Sequence, residues 1–132
     1  MDHPLLLDTN ALIFYLFQNT LSKRADAAVQ STPDVFASVV SLWEIAIKQS
    51  IRKLDVNSSI SDIANACAEV GITIMGIKPR HLDYISQLPQ IHGDPFDRLI
   101  ISQAVTEGMV LISSDTVIPQ YCTQVDGLQI IW

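Results

Sequence analysis

Residues 4–17 read PLLLDTNALIFYLF. Pro4 to Leu7 is a short apolar run that stops at Asp8, which reads as a buried strand. Asn10 to Phe17 is apolar on nearly every face and too long for a turn, which reads as a helix. The chain therefore opens with a strand that hands over to a helix, with a carboxylate at the junction.

The same alternation continues downstream. Thr20 to Gln30 is a more polar helix, stopped by Ser-Thr-Pro because Pro33 disfavours helix in the residue before it. Asp34 to Ser38 is a second strand. From Val39 to Arg52, the spacing of Val40, Trp43, Ile47 and Ile51 follows a helical period. Ser61 to Val70 is a helix with Gly71 as its left-handed stop, and Ile72 to Ile77 is a strand. Pro79 begins another helix at its tolerated first position. A helix after LPQIHG runs to Gly108, Met109 to Ser114 is a strand ending at Asp115, and Leu128 to Trp132 is the last strand. Strands alternating with helices imply a mostly parallel sheet covered on both faces, an α/β/α sandwich. Ligands bind beyond the carboxyl ends of such strands, and Asp8 and Asp115 both fall there.

At 132 residues the chain is read as a single domain, 1–132, large enough for one real core. Its composition, 48% hydrophobic and 17% charged, is globular. No apolar stretch approaches the roughly 20 residues of a membrane span, and no secretory leader pattern is visible, so a cytoplasmic protein is expected. Cys67 and Cys122 lie far apart with no metal-ligand spacing and read as small buried hydrophobes. A formal charge of −6 argues against simple electrostatic binding of nucleic acid. Two divalent cations held by the acids would bring it to about −2, with a positive focus at the site.

No G-x-G-x-x-G, Walker-type or G-x-S-x-G motif occurs, which sets aside dinucleotide, NTP and α/β-hydrolase chemistry. An aspartyl phosphotransferase would use a second aspartate where Asn10 stands. What remains is a set of carboxylates: Asp8 and Asp115 at strand ends, Glu44 and Asp97 near the starts of helices opening to the same edge. Hard oxygen donors of this kind suit Mg²⁺ or Mn²⁺, and metal held so can activate water against a phosphodiester.

These residues also carry a family resemblance. In order, LLLDTNALI, SLWEIAIK, HGDPFDRLIISQA, LISSD and LQIIW resemble a PIN-domain nuclease, specifically a VapC-type toxin of a toxin–antitoxin pair, over essentially the whole chain. The resemblance implies a parallel five-stranded sheet and an Mg²⁺- or Mn²⁺-dependent endoribonuclease site. Asp8, Glu44, Asp97 and Asp115 would hold the metal, with Thr9 and Ser113 as polar support. It also implies an antitoxin near the helix of Leu12–Phe17, and a homodimer. The sequence departs from the pattern at Ser113, where Thr is common, and at Gly93, where Arg is common. The rival expectations are a catalytically silent PIN-like module that docks a protein, and a metal-dependent DNA nuclease using the same acids.

Each site residue has a plainer reading. Asp8 could cap the following helix. Glu44 could close a capping box from Ser41, unless the helix begins near Ser38, the start adopted here. Asp115 could begin a turn, and Thr9 and Ser113 could bond locally to backbone. Lys48 reads either as an i,i+4 partner of Glu44 or as a phosphate contact. Arg98 reads as an RNA contact or as the partner of a nearby acid. Arg52 and Lys53 read as a solvated helix end, and His92 as a structural hydrogen-bonder. In HGDPFDRLI, Asp94 is the natural N-cap before Pro95, which leaves Asp97 free to project toward the strand ends.

Overall fold

A computed structural model describes residues 3–132. Five strands, β1 Leu5–Leu7, β2 Val35–Ser38, β3 Ile72–Met75, β4 Val110–Ile112 and β5 Ile130–Ile131, form one sheet in the order β3-β2-β1-β4-β5. Every pairing is parallel. Among the described residues six α-helices link β1 to β4 in turn, α1 Thr9–Ile13, α2 Lys23–Ser31, α3 Val39–Ser50, α4 Ile60–Glu69, α5 Pro79–Ile85 and α6 Pro95–Glu107, and a 3₁₀ turn leads from β4 to β5. The expected α/β/α sandwich with a five-stranded sheet is the observed architecture.

Strand β1 sets the layers. Its side chains alternate between the two faces of the sheet. Leu6 belongs to a core with Leu111, Ile100, Ile101 and Tyr121. Leu5 and Leu7 belong to another with Leu12, Val29, Val35 and Ile112. All three leucines are buried, and each such side chain contributes about 1.5–3 kcal/mol. A third cluster, Ile13, Leu42, Ile45 and Ile63, seats α3 and α4. Leu6 pairs with Phe36 on one side and Leu111 on the other. From β1 the chain runs outward through β2 to β3, then crosses back to β4 and β5 on the other side of β1. The strand order reverses between β1 and β4, and the crevice beyond those two strand ends is where such sheets bind ligands.

Local chemistry fixes the helix ends. Ser22, Ser38 and Ser59 cap α2, α3 and α4 by accepting from backbone N–H groups. Gly108 closes α6 at a φ of 67°, a left-handed conformation that glycine adopts without a Cβ penalty.

The structure differs from or adds to the sequence reading at three places. The helix from residue 10 starts at Thr9, and from Phe14 to Gln18 it loosens into a π-helical turn that Asn19 ends at a φ of 50°. A 3₁₀ turn at Ile118–Thr123 was not anticipated. On α3, Val40 packs inward, but Trp43, Ile47 and Ile51 point outward beside Val39, with Trp43 54% exposed. The inward face carries Ser41, Leu42, Glu44 and Ile45 instead. The apolar period was real, and it marks the outer face because the inner one carries polar groups.

Candidate active site

The carboxyl ends of β1 and β4 meet the starts of α3 and α6. Asp8 follows β1 directly, and its backbone N–H donates to the Ile112 carbonyl of β4 at 3.0 Å. Its Oδ1 accepts from the Ala11 N–H at 2.8 Å, so it caps α1 as well as facing the crevice. Burial pushes its carboxyl up to about 6. The Ser113 hydroxyl and the Ala11 amide pull the other way, while Asp115 and Glu44 add to the rise.

Glu44 lies on the inner face of α3 and is 4% exposed. Because α3 starts at Val39 under the Ser38 cap, Glu44 is beyond the first turn and forms no capping box. Its Oε2 pairs with Lys48 Nζ at 2.7 Å. Its Oε1 is buried with no hydrogen-bond partner, which costs about 1–3 kcal/mol or more for a charged group.

At the start of α6, Asp94 is the N-cap: its Oδ1 accepts from Phe96 N at 2.9 Å and from Asp97 N at 3.1 Å. Asp97 is thereby freed of capping. Burial, then the charges of Asp94, Glu44, Asp8 and Asp115, raise its carboxyl to about 7. Asp115 Oδ1 accepts from Val117 N at 2.6 Å and Ile118 N at 3.2 Å, which starts the 3₁₀ turn.

The four acids therefore lie within electrostatic reach of one another at one sheet edge. Among the described residues, however, no three Asp, Glu, His or Cys side chains stand close enough to enclose one ion. The two observations differ because charge acts over a longer range than coordination. The donors are hard oxygens, one of them orphaned and two of the carboxyls raised, a set short of positive charge. A divalent cation fits that deficit.

The supporting residues divide. Thr9 Oγ1 donates to Ser41 Oγ at 2.9 Å, a buried tie between α1 and α3. Ser113, also buried, accepts from Asp115 N at 3.1 Å. Lys48 is 40% exposed, and the hydrogen bond to Glu44, with Asp94 and Asp97 nearby, raises its pKa. It can hold Glu44 and still face solvent at the crevice.

Arg98 is a correction. Rather than facing RNA or pairing with an acid, its guanidinium is buried and donates to the carbonyls of Pro89 (2.8 Å), Ile85 and Leu88 and to the Tyr121 hydroxyl (3.3 Å). A planar fork of five donors suits such a cage, and it clamps the segment that leads to His92. His92 lies nearer the acids than a purely structural reading suggests. Its Nδ1 accepts from Asp94 N, and its Nε2 is buried 3.6 Å from Asp97 Oδ2 with no hydrogen bond. The signal was its position two residues before the cap.

Gly93 is exposed, and a Cβ there would meet nothing within 4 Å. Arg52 and Lys53 are exposed beyond α3 and line a cleft of about 720 Å³ that contains none of the four acids. Cys67 is fully buried as expected, but Cys122 is exposed.

The PIN domain family profile matches residues 5–123, and the chain belongs to that family. The fold is shared with solved structures of low sequence identity. The DNA-bound VapBC complex of Salmonella typhimurium includes a chain 14% identical with a TM-score of 0.68, covering 98% of this chain and 97% of that one. FitAcB from Neisseria gonorrhoeae gives 16% and 0.64, covering 97% and 96%. VapBC2 from Rickettsia felis, bound to a promoter DNA fragment, gives 14% and 0.64, covering 96% of each. No curated protein matches.

Proposed function

We propose that this chain is a divalent-metal-dependent endoribonuclease, a single catalytic unit over 1–132 that serves in the cytoplasm as the toxin of a VapC-type toxin–antitoxin pair. The observation that carries the reading is the buried, unpartnered Glu44 Oε1 beside Asp8 and Asp97, whose carboxyls rise to about 6 and 7. Perturbed acids converging in a crevice mark a functional site.

Asp8, Glu44, Asp97 and Asp115 would hold one or two Mg²⁺ or Mn²⁺ ions. When bound, such ions lower the pKa of water and stabilise charge on a phosphoryl group. The chain's own residues orient and exclude. Asp8 is fixed by the Ala11 amide, Glu44 by Lys48, and Asp97 stands free because Asp94 takes the cap. Lys48 offers the exposed cation that can meet a backbone phosphate. Water adds to phosphorus in line, the 3′-oxygen leaves and takes a proton, and the products are a 5′-phosphate and a 3′-hydroxyl. Ser113 supports Asp8 and Asp115 directly, while Thr9 ties α1 to α3 through Ser41 and so holds the two helices that carry the crevice together.

The antitoxin and the second copy of a homodimer have surfaces available. Phe17 is exposed within the π-helical turn, and Val39, Trp43 and Ile47 on α3 with Ile51 just past its end form an outer stripe. Solved structures of the same fold from Klebsiella pneumoniae and Mycobacterium tuberculosis are a toxin–antitoxin complex and a member of the VapBC family of toxin–antitoxin systems, which supports a protein partner here. Among the described residues no helix is long and apolar enough to cross a membrane.

Purified protein should cleave single-stranded RNA with Mg²⁺ or Mn²⁺ and stop in excess EDTA; cleavage that persists in EDTA would sink the mechanism. A comparison with single-stranded DNA separates the DNA-nuclease reading. The silent docking module has its own support in the acids' not enclosing one ion. Calorimetry showing no Mg²⁺ or Mn²⁺ binding would favour it.

A further inference from the structure

Next to the acids lies a second pocket, of about 560 Å³, lined by Ser113, Ser114, Asp115, Thr116, Pro119, Cys122, Ile130 and Trp132. Two of these, Ser113 and Asp115, also belong to the carboxylate crevice, so pocket and crevice share a wall. The far side is apolar, made by Pro119 on the 3₁₀ turn, Ile130 on β5 and Trp132 just after it. Trp132 is half-buried, and its ring lies 6.0 Å from that of Phe14. Packing of this kind holds an indole in place before any ligand arrives.

We propose that this pocket is a nucleobase subsite, in which one base flanking the cleaved bond stacks against Trp132 and Pro119 and turns its edge to the hydroxyls of Ser114 and Thr116. The inference rests on the RNA substrate proposed above. The chemistry points to a base. A mostly apolar pocket with a few hydroxyls suits a flat, partly polar ring. Single-stranded RNA presents unstacked bases that proteins hold on aromatic side chains. The shared wall places a base in the pocket while its phosphate reaches the acids. Hydroxyls both donate and accept, and every base has a π-face, so the subsite accepts any of the four bases, with preference set elsewhere.

The test reads binding apart from cleavage. The protein has two tryptophans, so Trp43→Phe leaves Trp132 as the reporter. In EDTA, nucleoside 5′-monophosphates should quench its fluorescence and ribose 5-phosphate should not. Cys67 is fully buried and Cys122 lines the pocket, so a bulky maleimide should modify Cys122 alone, nucleotide should slow that modification, and the modified protein should lose the quench. Trp132→Ala should raise KM for single-stranded RNA about tenfold or more, with Trp132→Phe recovering most of it. The maleimide experiment stands in if Trp132→Ala does not fold, and Cys122→Ser is its unreactive control.

Quenching by ribose 5-phosphate equal to that by nucleotides would overturn the proposal, since the site would then read phosphate. So would RNA cleavage with unchanged KM after Cys122 is blocked. Quenching by a short apolar peptide but by no nucleotide would also overturn it, and would assign the pocket to a protein partner. Nucleotide quenching without RNA cleavage would support the pocket while rejecting the nuclease.

Discussion

Helix α6 carries an acid in its first turn and another as its last residue, and the two are shifted in the direction opposite to the helix dipole. A helix N-terminus favours negative charge and a C-terminus disfavours it, by roughly 0.3–1 kcal/mol. Yet Asp97 at the N-terminal end is raised to about 7, and Glu107 at the C-terminal end is lowered to about 2. Neighbours account for the inversion. Glu107 accepts from Arg80 at 2.7 and 3.0 Å and from His81 Nε2 at 2.7 Å. Asp97 has burial and four other acids around it; His92 stands 3.6 Å away with no hydrogen bond, and Lys48 nearby is paired to Glu44. One acid has its partners, Arg80 and His81, built into the fold and ties α5 to α6. The other is left in deficit, which is the state expected of a group that waits for a cation from outside.

The largest test of this contrast is Asp97→Asn. It should lower RNA cleavage by at least about a hundredfold while circular dichroism stays native and the metal-free melting temperature at pH 8 does not fall. A parallel loss of fold would show that Asp97 is structural like Glu107. The converse is Glu107→Gln, expected to cost about 1–2 kcal/mol in denaturant melts with cleavage per folded molecule unchanged; a loss of cleavage at full stability would erase the distinction.

The same contrast predicts opposite pH slopes. Asp97 and Asp8 have folded pKa values above the usual 3.8, so between about 4 and 7 the folded state binds more protons than the unfolded one. Metal-free stability should then fall as pH rises through that window, and thermal melts in EDTA should show a shallower fall for Asp97→Asn. Glu107, lowered from 4.5 to about 2, contributes stability above about 4.5 that is lost as pH drops toward 2. Melts of Glu107→Gln should show a weaker acid limb. The smallest effect is that of Asp94→Ala, which removes the cap beside Asp97 and should cost about 1 kcal/mol. If it instead abolishes cleavage at unchanged stability, the division of labour between the two aspartates is wrong.

Much of the fold was legible because β1 and β4 are short apolar runs ended by aspartates and followed by turn or helix. That Asp94 rather than Asp97 caps α6 was legible too, since Pro95 marks the first helical position. The faces of α3 were not. Burying Ser41 and Glu44 inverts the amphipathic pattern, so the apolar spacing of Trp43, Ile47 and Ile51 identified a helix without identifying its buried face. Arg98 was hidden for a related reason. A charged residue beside a site acid reads as a ligand contact, and only the folded chain shows three carbonyls and a tyrosine hydroxyl around it. His81 gave no signal either, because its partner Glu107 lies on another helix.

The place of β1 at the middle of the sheet has a consequence for how this protein comes into being. Its neighbour β4 pairs with it from more than a hundred residues later, and contacts so distant in the chain form slowly. During synthesis, at roughly 5–20 residues per second, Asp8 emerges many seconds before Asp115 can join it. A partly made chain thus holds only part of the carboxylate set. If the four acids act together as proposed, their site is completed only when translation is nearly done.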